Sequence, residues 1–154
     1  MRNREELLEK ARNYAFLLLK FRLRSERELY QRLKRKKFEE PIIGETLVFL
    51  KARGFIDDQT FARAWVTARL KRPLGLRRIR QELRAKGVEE EIINTEFREI
   101  KKDYPEEEIL KQLAKTKLAK MKDLDPRVAK RRVAAYLLRR GFPPETIADV
   151  MSQT

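Results

Sequence analysis

Cysteine and histidine are both absent from this 154-residue chain, and only five glycines and six prolines interrupt it. Without cysteine there is no disulfide framework, so nothing in the composition points to an oxidising compartment. Without either residue the usual zinc and transition-metal sites are excluded on donor chemistry. Nucleophilic catalysis by Cys–His or Ser–His pairs is excluded as well. A carboxylate-only magnesium site stays formally open. No stretch approaches the roughly 18 apolar residues that a membrane span requires. The opening segment MRNREELLEKARNYAFLLLKF carries acids and is amphipathic. It therefore reads as neither a secretory signal nor a transit peptide, and cytoplasm is the expected location. Strand-like alternation is missing, as are a P-loop and a dinucleotide fingerprint. No ATP hydrolysis, catalytic residue, metal or cofactor is expected.

What the chain does have is a repeat. The stretches LKRKKFEEPII from Leu33, LRAKGVEEEII from Leu83 and LLRRGFPPETI from Leu137 align at offsets of 50 and 54 residues. Leu29, Ile79 and Val133 correspond, as do Leu33, Leu83 and Leu137. Phe38, Val88 and Phe142 follow, then Ile43, Ile93 and Ile147, then Leu47, Phe97 and Met151. The spacing within each segment is helical. Gly54-Phe55, Gly87-Val88 and Gly141-Phe142 carry the helix-ending pattern of a left-handed glycine followed by an apolar residue. Lys37 stands where the first repeat should have that glycine, so its turn is expected to be strained or differently shaped. Ser25, Asp58, Asp125 and Pro105 mark helix starts.

The predicted helices are about 4–21, 25–36, 40–53, 58–71, 75–86, 89–102, 106–121, 126–140 and 144–152. This is an all-α chain of three three-helix units, over 1–56, 57–104 and 105–154. Because so small a unit buries little core alone, each is expected to pack on its neighbour. The result should be an elongated, curved array.

The +14 net charge is concentrated. Residues 20–37 net +7, residues 69–86 net +7 and residues 127–140 net +6, which leaves −6 for everything else. These windows are the middle helices with their flanking turns. With Ile79 and Leu83 toward the core, Arg77, Arg80 and Arg84 line the outer face. Arg27 and Lys34 match them in the first unit with Tyr30 between. Arg127 and Arg131 match only in part in the third, where Ala134 and Leu138 interrupt the stripe. A charge run is ordinarily a solvated face, but such faces mix signs, and acids are nearly absent here. The candidate contact residues are Arg24, Arg27, Lys34 and Arg35 in the first unit. The second adds Arg72, Arg77, Arg78, Arg80 and Arg84, and the third Arg127, Arg131, Arg139 and Arg140. A field of this sign attracts polyanions, and arginine suits phosphate through its bidentate fork. Glu39-Glu40 and Glu89-Glu90-Glu91 open the last helices of the first two units, where acids favour the helix dipole. Tyr14, Phe16, Phe61, Trp65, Phe97 and Phe142 read as core, while Tyr30 alone is placed to stack on a base. Asp57-Asp58 and Asp123/Asp125 read as helix caps.

DDQTFARAWVTARL (57–70) followed by GLRRIRQELRAKGVEEEII (75–93) resembles the central repeat of the RecX family. The resemblance extends to ARNYAFLLLKFRLRSERELYQRLKRKKF (11–38) and to RRVAAYLLRRGFPPETI (131–147), and so covers nearly the whole chain. It implies three tandem three-helix repeats and a non-enzymatic regulator. Such a protein binds the RecA nucleoprotein filament and reduces its recombinase, ATPase and co-protease activities. The implied setting is DNA repair, recombination and the SOS response. The implied mode is an elongated monomer in the filament groove, touching neighbouring RecA protomers and single- or double-stranded DNA without sequence preference. Two other readings compete. Basic three-helix units also suit a sequence-specific helix-turn-helix protein. Against it, the last helices begin acidic, and Asn and Gln are scarce on the basic faces. A carboxylate-dependent nuclease would need converging acids, which the basic helices do not supply.

Overall fold

The computed structural model describes residues 3–154. Among these residues there are nine helices and no strand. They are α1 (Arg4–Phe21), α2 (Glu26–Arg35), α3 (Glu40–Ala52), α4 (Asp58–Arg69), α5 (Leu76–Ala85), α6 (Glu90–Lys101), α7 (Glu106–Ala119), α8 (Pro126–Arg139) and α9 (Pro144–Ser152). Each lies within two residues of its expected bounds. The starts are chemically marked. Asn3 accepts from the Glu6 N–H at the head of α1. Ser25 and Glu28 form a reciprocal capping box on α2. Asp125 caps α8 through the Arg127 N–H. For α4 the cap is Asp57, which accepts from Gln59 and Thr60, rather than Asp58.

Helices pack in threes. The first core gathers residues of α1, α2 and α3 around Leu29, Leu33, Ile43 and Leu50, all fully buried. The second is built on Ile79, Leu83, Ile93 and Phe97, and the third on Leu110, Val133, Leu137 and Phe142. Of the fifteen repeated apolar positions, all but Phe38 and Met151 are buried, and those two are half-buried in the outer units. Each unit thus has its own core, and the expected packing of each unit on its neighbour is made outside these cores.

The units meet instead through two short polar joints of the same design. At the first joint the buried Ser25 hydroxyl donates to the carbonyl of Lys86, the residue that ends α5, at 2.6 Å. Beside it the Glu26 N–H donates to the Asp58 carboxylate at 2.9 Å. At the second joint, fifty residues on, the Gly75 N–H donates to the carbonyl of Arg140, which ends α8, at 2.9 Å. Beside that the Leu76 N–H donates to the Glu106 carboxylate at 2.6 Å. The N-termini of α2 and α5 are thus each held by the next unit through one carbonyl and one carboxylate. The carbonyl takes the Ser25 hydroxyl at the first joint and the Gly75 N–H at the second, and the carboxylate takes the first helical N–H at both. That is why α5 carries no side-chain cap of its own. Asp58, read as a cap of its own helix, serves its neighbour's instead.

The joints fix the architecture. One neighbour holds the C-terminal end of α5 and the other its N-terminal end, so the three units form an elongated row. The middle helices follow one another head to tail in the order α8, α5, α2. No hydrogen bond or ion pair links the first and third units among the described residues. The backbone of each middle helix ends alike. Phe38 N–H reaches Leu33 C=O at 3.3 Å, Val88 reaches Leu83 at 3.1 Å and Phe142 reaches Leu137 at 3.2 Å. The turn at Lys37 is therefore the same shape as the others, with φ 73°, and only the residue differs.

Candidate nucleic-acid interface

The repeat register sorts the candidate cations. Arg27, Arg77 and Arg131 occupy one equivalent position, one on each middle helix. All three are exposed, and none has an ion-pair partner among the described residues. The stem of Arg27 lies against Gly87 across the first joint, while the residue as a whole stays exposed. Arg35, Arg72, Arg127 and Arg139 are also exposed, without a carboxylate partner among the described residues.

The rest of the expected stripe is differently placed. One turn along, Lys34 pairs with Glu40, and the equivalent Arg84 pairs with Glu90. Arg80 donates to Asn94 at 2.7 Å, reaches Glu90 at 3.3 Å and lies 4.7 Å over the Phe97 ring. The acids that open α3 and α6 therefore neutralise part of the basic face as well as favouring the helix dipole. The Lys34 ammonium, with Tyr30, holds the Glu40 carboxyl below the ordinary carboxylate range, and the Arg84 guanidinium does the same for Glu90. Tyr30 is not a free stacking platform. Its hydroxyl donates to Glu40 at 2.6 Å, and its ring packs against the first core.

In the third unit the same positions are apolar. Ala134 replaces Arg80, Leu138 replaces Arg84 and Pro144 replaces Glu90, leaving a shallow apolar groove flanked by Lys130 and Arg131.

Two candidates belong to the second joint. The Arg78 guanidinium donates to the Arg139 carbonyl at 3.3 Å, while its backbone lies against Gly141. Arg140 gives its carbonyl to Gly75 and lies 5.6 Å from the Tyr136 ring. Arg24 lies apart from the row, in a groove between α1 and α2. Glu28 closes the first joint. Burial pushes its carboxyl up, but the Arg22 guanidinium at 2.5 Å, the Ser25 N–H and the Lys86 ammonium at 3.1 Å outweigh that, holding it at about 2. The joint residues are not marked as a set by any local pattern in the sequence. The available signal was Asp58 and Glu106 recurring at the first position of α4 and α7.

No group of three or more acids suited to a metal occurs among the described residues. No described helix is long and apolar enough to cross a membrane.

These features define a class: an all-α tandem-repeat protein with an arginine at one recurring place on each middle helix. Comparison with known proteins makes it specific. Family models described as the first, second and third three-helix domains of RecX match residues 11–50, 57–95 and 105–151. "Regulatory protein RecX" of Chlorobium phaeobacteroides (strain BS1) is 35% identical over 146 residues, 94% of this chain and 93% of that protein. The protein of the same name from Mycobacterium sp. (strain JLS) is 35% identical over 155 residues, 97% of this chain and 82% of its own. The crystal structure of RecX from Lactobacillus salivarius superposes with a TM-score of 0.82 over 97% of both chains, at 22% identity. The chain belongs to the RecX family of regulatory proteins.

Proposed function

We propose that this protein binds the RecA nucleoprotein filament and its DNA, and modulates, mainly inhibiting, the recombinase, ATPase and co-protease activities of RecA. The observation that carries the reading is the recurrence of Arg27, Arg77 and Arg131 as exposed, unpaired cations, one per unit along a head-to-tail row. A repeating ligand suits a repeating binder, because weak contacts on one scaffold act at high effective concentration. Lys34, Arg80 and Arg84 supply less than their charge suggests, since a phosphate must first displace Glu40 or Glu90. Arg35, Arg72, Arg127 and Arg139 extend the contact set. The units bounded at 1–56, 57–104 and 105–154 act as one monomer lying along the filament groove. By favouring one filament state the protein shifts the equilibrium only by its differential affinity.

The test is a triple variant, Arg27→Ala, Arg77→Ala and Arg131→Ala, assayed for RecA-filament ATPase inhibition and for DNA binding across a salt series. Arg77 and Arg131 as exposed side chains contribute within about 0.5 kcal/mol each to stability, whereas Arg27→Ala also removes the stem packed on Gly87, so circular dichroism melting first confirms that the variant is folded. Its DNA affinity falls for every sequence, and the salt slope drops by about one unit per lost phosphate contact. A folded triple variant that inhibits as well as wild type reduces the row to a solvated surface. A large preference for one DNA sequence over random competitor would instead favour the helix-turn-helix reading.

A further inference from the structure

Away from the arginine row, α1 and α2 enclose a groove of about 820 Å³ lined by Tyr14, Leu17, Phe21 and Phe38 together with Lys10, Arg24, Arg32 and Lys36. No carboxylate lines it. None of these four cations has an ion-pair partner among the described residues. The Nε of Arg24 is buried there without a hydrogen-bond partner. Apolar side chains stand in the open beside them. Leu17 is 56% and Phe21 77% exposed, one helical turn apart on α1. A leucine and a phenylalanine left in water side by side on the groove wall mark a contact surface rather than scattered exposure.

We propose that this groove docks a protein segment carrying apolar side chains flanked by carboxylates, supplied by the partner protein of the filament. The choice of protein over nucleic acid follows from the lining. A groove that holds single-stranded nucleic acid adds open aromatic faces, on which the bases stack, to its cations. The Tyr14 ring already has the Lys36 ammonium 5.2 Å above it, and its hydroxyl accepts from Arg32 at 3.4 Å. Phe38 is half-buried against the first core, so Phe21 is the one open ring in the lining. The remaining apolar surface is aliphatic, which suits Leu, Ile or Val of a peptide. The unpaired cations around it select acids beside them and reject a basic segment. Protein contact and DNA contact are then carried by different surfaces, the groove of the first unit and the arginine row. This rests on the filament-binding reading for the identity of the partner.

The test is the double variant Leu17→Gln and Phe21→Gln, which keeps helix-forming residues at exposed positions and leaves the net charge unchanged. Wild type and variant are compared by circular dichroism melting. They are then compared in co-sedimentation with RecA filaments on single-stranded DNA, and in binding to the same oligonucleotide without RecA. The expected result is unchanged melting, filament affinity reduced by about tenfold or more, and free-DNA affinity within about twofold. Phe21→Gln alone, at the last residue of α1, gives an intermediate loss and covers the case of a misfolded double variant. Unchanged filament affinity in a folded variant overturns the proposal. So does a parallel loss on filament and bare DNA, which would put nucleic acid in the groove. Both of those results leave the filament-binding reading standing, whereas a wild-type protein that fails to sediment with filaments removes both.

Discussion

The turn that closes α2 and the turns that close α5 and α8 share one backbone and not one residue. Each takes a positive φ at the same point: 73° at Lys37, 80° at Gly87 and 96° at Gly141. If φ alone chose the residue, all three would be glycine. The difference lies in what comes next. A Cβ on Gly87 would stand 2.2 Å from the Arg27 side chain, and one on Gly141 would stand 2.6 Å from the Arg78 nitrogen. Both turns are covered by the preceding unit. The Lys37 turn is the free end of the row, where a side chain can leave into solvent. The opposite free end is finished in a matching way. Asp125 caps α8 within its own unit, where α2 and α5 receive a carboxylate from the next. Each outer unit thus completes within itself the turn or cap that a neighbour completes elsewhere.

The largest effect of substituting a glycine is expected at the second joint. A Cβ on Gly75 would lie 2.1 Å from the carbonyl carbon of Gly141 and 2.3 Å from the Phe142 nitrogen. Backbone cannot move aside as a side chain can, so Gly75→Ala must open the joint. The change gives up the hydrogen bonds to Arg140 and Glu106, a loss of roughly 2–3 kcal/mol at about 1 kcal/mol or more each. Because each unit has its own core, the expected outcome is undocking with helicity retained. Small-angle scattering should show a changed shape while circular dichroism at low temperature does not change. Unchanged scattering would mean that the joint tolerates the overlap.

A smaller effect is expected at the first joint, where Glu28 ties Arg22 to Lys86. Its carboxyl sits at about 2 in the folded chain against about 4.5 unfolded. A depressed value contributes stability that is present above about 4.5 and lost as pH falls toward 2. Glu28→Gln should therefore cost about 1–2 kcal/mol at neutral pH, allowing for solvent screening. The gap between wild type and variant should close progressively between pH 4.5 and 2. Asp58 at the same joint works in the opposite sense, since burial pushes its carboxyl up. Only the difference between the two proteins isolates Glu28. A gap that persists at pH 2 would mean that shape rather than charge is at stake.

Much of this was legible in the sequence, for a physical reason. Apolar spacing, capping residues and helix-ending glycines are local signals, and together they placed nine helices and three cores. Pairing across a turn was not legible, because it depends on how the last helix of a unit crosses the middle one. Glu40 and Glu90 looked like acids serving only a helix dipole, yet they hold Lys34 and Arg84. The joints were hidden for a related reason. Ser25 and Asp58 each have an ordinary local reading as caps, and Gly75 has none that distinguishes it from a loop glycine. Their common role appears only when the ends of α5 are seen against α2 and α8. Leu17 and Phe21 were absorbed into the amphipathic pattern of α1, whose broad apolar face is wider than its own core can cover.

The mildest expected effect is at the free turn, and it has the opposite sign. An L-residue held in the left-handed region costs roughly 1–2 kcal/mol. Lys37 bears that cost at φ 73°. Glycine relieves it but returns roughly 0.5–1 kcal/mol through the greater freedom of the unfolded chain. Lys37→Gly should therefore stabilise the protein by about 0.5–1 kcal/mol, read as a rise of a few degrees in melting temperature. Inhibition of RecA should be unaffected, since Lys37 lies outside both the arginine row and the groove lining. The reverse exchange, Gly87→Lys, meets the same backbone strain together with the overlap on Arg27, so it should destabilise by more than Lys37→Gly gains. Equal and opposite shifts from the two variants would show that φ alone matters at these turns. A larger loss at Gly87 shows that glycine there is demanded by the docked neighbour.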